Sequence, residues 1–267
     1  MFFRLSGVSN VVAEGMQKGV KQNMSYIYKL IGCEIMFREI CLCASRSINI
    51  VDLEFMPKEL HDIGEKDMSA KLQERINAVD VNKYNAILLC YGLCNNGIKG
   101  LHSKIPLVVS RAHDCITLLM GSKEKYSDYF FNNPGTFFKS SGWIERDRNP
   151  NENENSVTSK LGMDIDFDDY DEEEAEYLKS FLGSWDKNYS KYTYIDTGTG
   201  DSSFYEDEIS KLAIERGWSF EKMNGNVCLI QDLMDGKWDL NKFLVVPPCN
   251  KITVTHGNDI VSYEPLQ

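Results

Sequence analysis

The feature that most constrains this chain is a repeated alternation of short apolar runs with segments of helical spacing. Tyr26–Ile31 is such a run, and Glu34–Ser45 follows with Ile35, Ile40 and Leu42 at helical intervals. Ile48–Phe55 reads as the next strand. Asp67–Val79 reads as an amphipathic helix with Met68, Leu72, Ile76 and Val79 on one face, and Asn85–Tyr91 and Leu107–Ser110 as two further buried strands. The alternation resumes with strand Tyr192–Asp196, helix Tyr205–Arg216, strand Ser219–Met223, helix Val227–Met234 and strand Phe243–Val246. Strands that alternate with helices build parallel sheets covered on both faces. The expected fold is α/β, a doubly wound and mostly parallel sheet made of two βαβαβ halves.

The 267 residues suit one large domain or two small ones. Four segments are expected: an N-terminal extension over 1–23, a first α/β half over 24–144, an acidic insertion and helix over 145–185, and a second half over 186–267. The weak patterning of the first 23 residues, ahead of Met24-Ser25, suggests an extension or a misplaced start codon. The insertion contains the low-complexity run Asn151–Asn155, and Asp164–Glu176 holds nine carboxylates and no base, leading into a helix at about Asp171–Ser184. Between the halves lies an aromatic stretch, Tyr126 to Trp143, with Asn133-Pro134-Gly135 as its turn. Those rings either wall a pocket for a planar ligand or pack in the core, and packing is the favoured reading.

Charge and cysteine content narrow the function. Twenty-nine basic against 40 acidic residues give a net charge of −11, the wrong sign for a nucleic-acid binder. No apolar run of about 18 residues exists to span a membrane, and no apolar core of a signal peptide is apparent. Eight cysteines without a secretory signal read as reduced thiols in a cytoplasm.

In open parallel sheets ligands bind beyond the carboxyl ends of the strands, and the rare residue types gather at those ends. Gly32-Cys33-Glu34 follows the first strand and Tyr91-Gly92-Leu93-Cys94 the third. Arg111-Ala112-His113-Asp114-Cys115 follows the fourth, Asp196–Asp201 the first strand of the second half, and Pro247-Pro248-Cys249 the last. If Arg111–Cys115 is extended, His113 and Cys115 point to one side and can grip one ion. Cys33 and Cys94 could complete a set of three or four ligands. Mixed sulfur and nitrogen donors favour zinc, with an open position for substrate. Two other readings use the same residues: an iron–sulfur cluster on the three cysteines, or a thiol nucleophile, Cys94 or Cys115, with His113 as its base.

Around this set, Arg111 is the expected anchor for an anionic group, and Glu39 or His61 the expected proton handler. The Asp-Thr-Gly-Thr-Gly-Asp turn could present backbone N–H groups at Gly198 and Gly200 to an anion, although it matches neither GxGxxG nor a P-loop. Its plainer reading is a turn in which Asp201 or Ser203 caps the next helix. Cys41, Cys43, Cys90 and Cys228 read as core, Cys249 as ambiguous, and His102 and His256 lack any supporting arrangement.

Several segments taken together resemble the uncharacterised domain-of-unknown-function family numbered 1638, found in anaerobes. They are Gly32-Cys33-Glu34 with Glu39, Leu60-His61, Tyr91–Cys94, Arg111–Leu119 with Gly121-Ser122, Pro134-Gly135-Thr136, Gly142-Trp143, Gly236–Asp239 and Phe243–Pro248. The resemblance runs from about Tyr26 to Ile252. Two departures stand out: Cys249 where a glycine is expected, and the long acidic insertion. Members often neighbour corrinoid methyltransferase systems, which implies a one-carbon context, with a corrinoid protein or methyltransferase as partner. Zinc methyltransferases that methylate a thiol use a His-x-Cys pair plus a distant Cys, and His113, Cys115 and Cys94 or Cys33 look like that set. The expectation is a zinc-dependent enzyme acting on a small thiol or one-carbon substrate. The alternative is an accessory protein that holds an iron–sulfur cluster or corrinoid for a methyltransferase.

Overall fold

The computed structural model describes residues 25–61, 64–94, 96–146, 188–255, 257 and 259–266. The expected N-terminal extension, acidic insertion with its helix, and His256 lie outside the described residues. The first sheet is built from β1 (Ile27–Cys33), β2 (Ile50–Met56), β3 (Ala86–Cys90), β4 (Leu107–Ser110) and β8 (Phe243–Val246), in the order β2-β1-β3-β4-β8. The first four strands are parallel, and β8 pairs antiparallel with β4. All five residues of β3 are buried, as befits a central strand covered on both faces.

Helices α1 (Phe37–Arg46) and α2 (Gly64–Asn77) supply the crossovers from β1 to β2 and from β2 to β3. Right-handed crossovers to opposite sides of β1 set these helices on opposite faces. Met68, Leu72 and Ile76 of α2 are buried, as the sequence spacing requires. A 3-10 turn, Glu34–Met36, separates β1 from α1, so the helix starts later than the spacing suggests.

The second half departs from expectation. Rather than extending the same sheet, β5 (Thr136–Ser140), β6 (Lys191–Asp196) and β7 (Ser219–Asn224) form their own parallel sheet in the order β5-β6-β7. It has its own apolar cluster, with Tyr192, Tyr194, Ile144, Tyr205, Ile209 and Ala213. Only β8 returns to the first sheet, and it does so antiparallel. The fold is therefore mixed α/β, not one sheet with two doubly wound halves.

The aromatic stretch supplies three elements. They are α4 (Lys123–Asn132), strand β5 and α5 (Ser141–Arg146), while α3 (Cys115–Met120) precedes them. Tyr126 and Tyr129 of α4 lie against Phe138 of β5, with ring centroids 6.2 and 5.6 Å apart, so these rings serve packing. α6 (Ser202–Arg216) joins β6 to β7, and α7 (Cys228–Met234) packs against α1. A hairpin of β9 (Asn250–Val254) and β10 (Val261–Pro265) closes the chain.

The parallel strands of the two sheets turn their carboxyl ends towards a common junction. The Asn226 N–H donates to the Leu119 carbonyl at 2.7 Å. The backbone at Gly142, in α5, touches that of Ile35: a Cβ added to Gly142 would lie 1.7 Å from the Ile35 carbonyl oxygen. Only glycine permits this approach.

Candidate functional site

Three buried cysteines follow three strands at the carboxyl edge of the first sheet. Cys33 closes β1 and is 1% exposed, Cys94 follows β3, and Cys115 opens α3. Two backbone bonds lock the loops that carry the last two: Leu93 N–H donates to Ala112 O at 2.8 Å, and Cys94 N–H to His113 O at 2.9 Å. Gly92 allows the loops to stack, because any side chain there would strike the Asp114 backbone. Cys94 pays with a left-handed backbone, φ 44°, a conformation costly for a residue with a Cβ.

The sulfurs are near enough to sense one another's charge. Burial first, then the charges of Cys94, Asp114 and Cys33, push the Cys115 thiol well above its ordinary range. Burial, Cys33 and Asp114 do the same to Cys94, opposed by backbone groups of Gly92 and Cys115. The buried Tyr91 hydroxyl is raised likewise, by burial and then by Cys33 and Cys94. Burial and mutual repulsion therefore both favour the neutral form of these thiols.

His113 does not join the thiols. Asp114 is the N-cap of α3, its side chain accepting from the Thr117 N–H at 3.1 Å, and Cys115 is already helical. The extended spacing that would align residues 113 and 115 is broken at that cap, so the imidazole lies exposed while the thiol is buried. The Asp114-x-x-Thr117 pattern is the sequence signal of this cap. Tyr126 secures it further, donating to Asp114 Oδ2 at 2.8 Å.

Arg111 is spent elsewhere. Its Nε donates to Leu240 O at 2.8 Å, and its Nη1 to the carbonyls of Asp259 (2.8 Å) and Val261. The guanidinium thus ties the end of β4 to the β9–β10 hairpin and has no fork left for an anion. His61 ends the 3-10 turn Lys58–His61 after β2; its side chain lies outside the described residues.

Gly198 and Gly200 adopt φ of 72° and 73°, the freedom their turn needs. The Gly198 N–H donates to Asp196 Oδ1 at 2.9 Å, and Asp201 caps α6. The turn serves instead to carry Thr197 and Thr199 to Glu39. Their hydroxyls donate to Glu39 Oε1 at 2.6 and 3.0 Å. Glu39 is 1% exposed, and its Oε2 has no hydrogen-bond partner among the described residues. Nothing in the sequence signals that a Gly-rich turn and a helical glutamate meet.

Of the cysteines expected in the core, Cys43 and Cys90 are fully buried, whereas Cys41 and Cys228 are only half-buried; Cys249 is exposed. Among the described residues, no group of three or more His, Cys, Asp or Glu side chains stands ready to hold a metal ion. A surface hollow of about 430 Å³, lined by Ile76, Asn77, Val79, Asp80, Val81, Ser103 and Lys104, sits at the opposite, amino-terminal edge of β3 and β4. It holds none of the thiols.

The model of a family described as protein of unknown function (DUF1638) matches residues 55–234, more than half of the chain. The chain belongs to the DUF1638 family. No curated protein and no solved structure matches it. The matched span of this DUF1638 chain takes in Cys94, Cys115 and the Thr197–Thr199 turn, while Cys33 and Glu39 precede it. Among the described residues, no helix is long and apolar enough to cross a membrane.

Proposed function

We propose that this DUF1638 protein is a metal-dependent enzyme, with zinc as the metal, that acts on a thiol or one-carbon substrate. The observation that carries this reading is the gathering of Cys33, Cys94 and Cys115, from three separate strand ends, where open parallel sheets bind ligands. Three buried thiols that raise one another's pKa are a poor reactive set alone, whereas a soft cation held by them would favour their ionised form and offset most of its charge. Cys33, Cys94 and Cys115 would hold the metal, which would supply Lewis acidity to keep a substrate thiol ionised at neutral pH.

Binding is expected to draw the thiols into tighter register, because among the described residues they do not already form a metal-ready group. The strained backbone of Cys94 makes its loop the natural mover. His113 is left out of the donor set because it is exposed, and Arg111 has no part in anchoring the substrate.

The test is anaerobic purification of the full chain without chelator, with metal analysis and a visible spectrum. About one zinc per chain, lost in Cys33→Ser, Cys94→Ser and Cys115→Ser and kept in Cys41→Ser, supports the reading. Brown absorbance, or the spectrum of a corrinoid, replaces it with the accessory role for a methyltransferase. A colourless chain that takes up no zinc overturns it.

A further inference from the structure

The Glu39 carboxylate stands in an unusual place. It is 1% exposed, and among the described residues no cation is bonded to it. The neighbouring Arg38 turns to Glu145, with Nε 2.8 Å from Oε1. The two threonine hydroxyls satisfy only Oε1. Two more shielded oxygens without partners, Ser140 Oγ and Ser141 Oγ, lie at the carboxyl end of β5.

The topology brings the residues that carry these atoms to one junction. Ser140 pairs in register with Ile195, one strand spacing of about 4.8 Å away. Two residues past Ile195 is Thr197, which is bonded to Glu39. From the other side, Gly142 abuts the carbonyl of Ile35, which precedes Glu39 by one helical turn. Buried oxygens left unbonded are expensive, and a buried carboxylate without a counter-charge more so.

We infer that Glu39, with Ser140 and Ser141 and the Thr197 and Thr199 hydroxyls around it, forms a binding site for a small monovalent cation, potassium or sodium. The donors are all oxygens, which suits a hard ion. A single carboxylate among hydroxyls supplies one negative charge, matching a monovalent ion better than magnesium, which dehydrates reluctantly. The ion would bond the first sheet's α1 to the strand ends of the second sheet. The site shares no residue with the thiol cluster, so its fate is independent of the proposed zinc chemistry.

The experiment is thermal unfolding of the full chain in potassium, sodium or choline chloride at equal ionic strength; choline is too large for the site. The expected result is a saturable rise in midpoint of roughly 2–4 °C with potassium or sodium over choline. Glu39→Gln should abolish the difference between the salts. Ser141→Ala, a milder change, should shift saturation to about tenfold higher cation concentration. Equal midpoints of the wild-type chain in all three salts overturn the inference. So does a cation response that survives unchanged in the serine variant or in a folded Glu39→Gln chain.

Discussion

Gly92 lies so close to Asp114 that a Cβ on the glycine would sit 2.5 Å from the Asp114 Cα and 2.6 Å from its nitrogen. These are backbone atoms of the cap of α3, which cannot swing aside. The contact holds the loop of Cys94 on the loop of Cys115. Gly92→Ala is therefore expected to cost about 1–3 kcal/mol, read as a lower urea midpoint. The same variant should bring Cys94 and Cys115 within reach of a thiol reagent in the folded chain.

Much of the first sheet is legible in the sequence because its signals are local. Leu107–Ser110 and Phe243–Val246 are apolar runs with clear ends, and both are strands with those bounds. The direction of β8 and the separation of β5, β6 and β7 into another sheet depend on long-range pairing, which no periodicity encodes. The site divides the same way. The thiols could be placed at strand ends from the order of elements, whereas the helical start at Cys115 is signalled only by the short Asp114-x-x-Thr117 cap, in which Asp114 accepts from Thr117. The partners of Glu39 lie about 160 residues away, beyond any local pattern.

The buried thiols make stability fall in alkali. Burial is the chief cause that raises Cys43 from 9.0 to about 12, and Cys90, outside the proposed metal site, is also raised. A thiol whose folded pKa lies above its unfolded value contributes stability that is complete below the unfolded pKa. It is lost as pH rises past about 8.5, because the unfolded chain then releases the proton first. For Cys43 this loss continues to about pH 12. Unfolding free energy measured from pH 7 to 10 should decline steadily above pH 8.5, and Cys43→Ala should flatten the slope by at most about 1.4 kcal/mol per pH unit. A profile identical in the variant would contradict the burial of that thiol.

Arg111 offers a clean separation of structure from chemistry. Its guanidinium donates to three backbone carbonyls across Leu240, Asp259 and Val261. Lysine cannot span that fork. Arg111→Lys and Arg111→Ala are both expected to destabilise the chain by about 2–3 kcal/mol. Zinc content per folded chain should be unchanged in both. A loss of metal or of substrate binding without loss of stability would restore Arg111 as an anchor.

The glycine expected at position 249 has a physical reason in the backbone. Cys249 sits after the two prolines with φ 64°, a left-handed conformation that costs a residue with a Cβ about 1–2 kcal/mol. Glycine there removes that strain and adds about 0.5–1 kcal/mol of unfolded-state entropy. Because the side chain is exposed, little packing is lost. Cys249→Gly should therefore stabilise the chain by roughly 0.5–1 kcal/mol in urea unfolding. It should also abolish the fastest-reacting thiol in the native protein, while leaving zinc content untouched. A destabilised variant would mean that the exposed sulfur makes contacts worth more than the strain it imposes, and would give Cys249 a structural role that its exposure argues against.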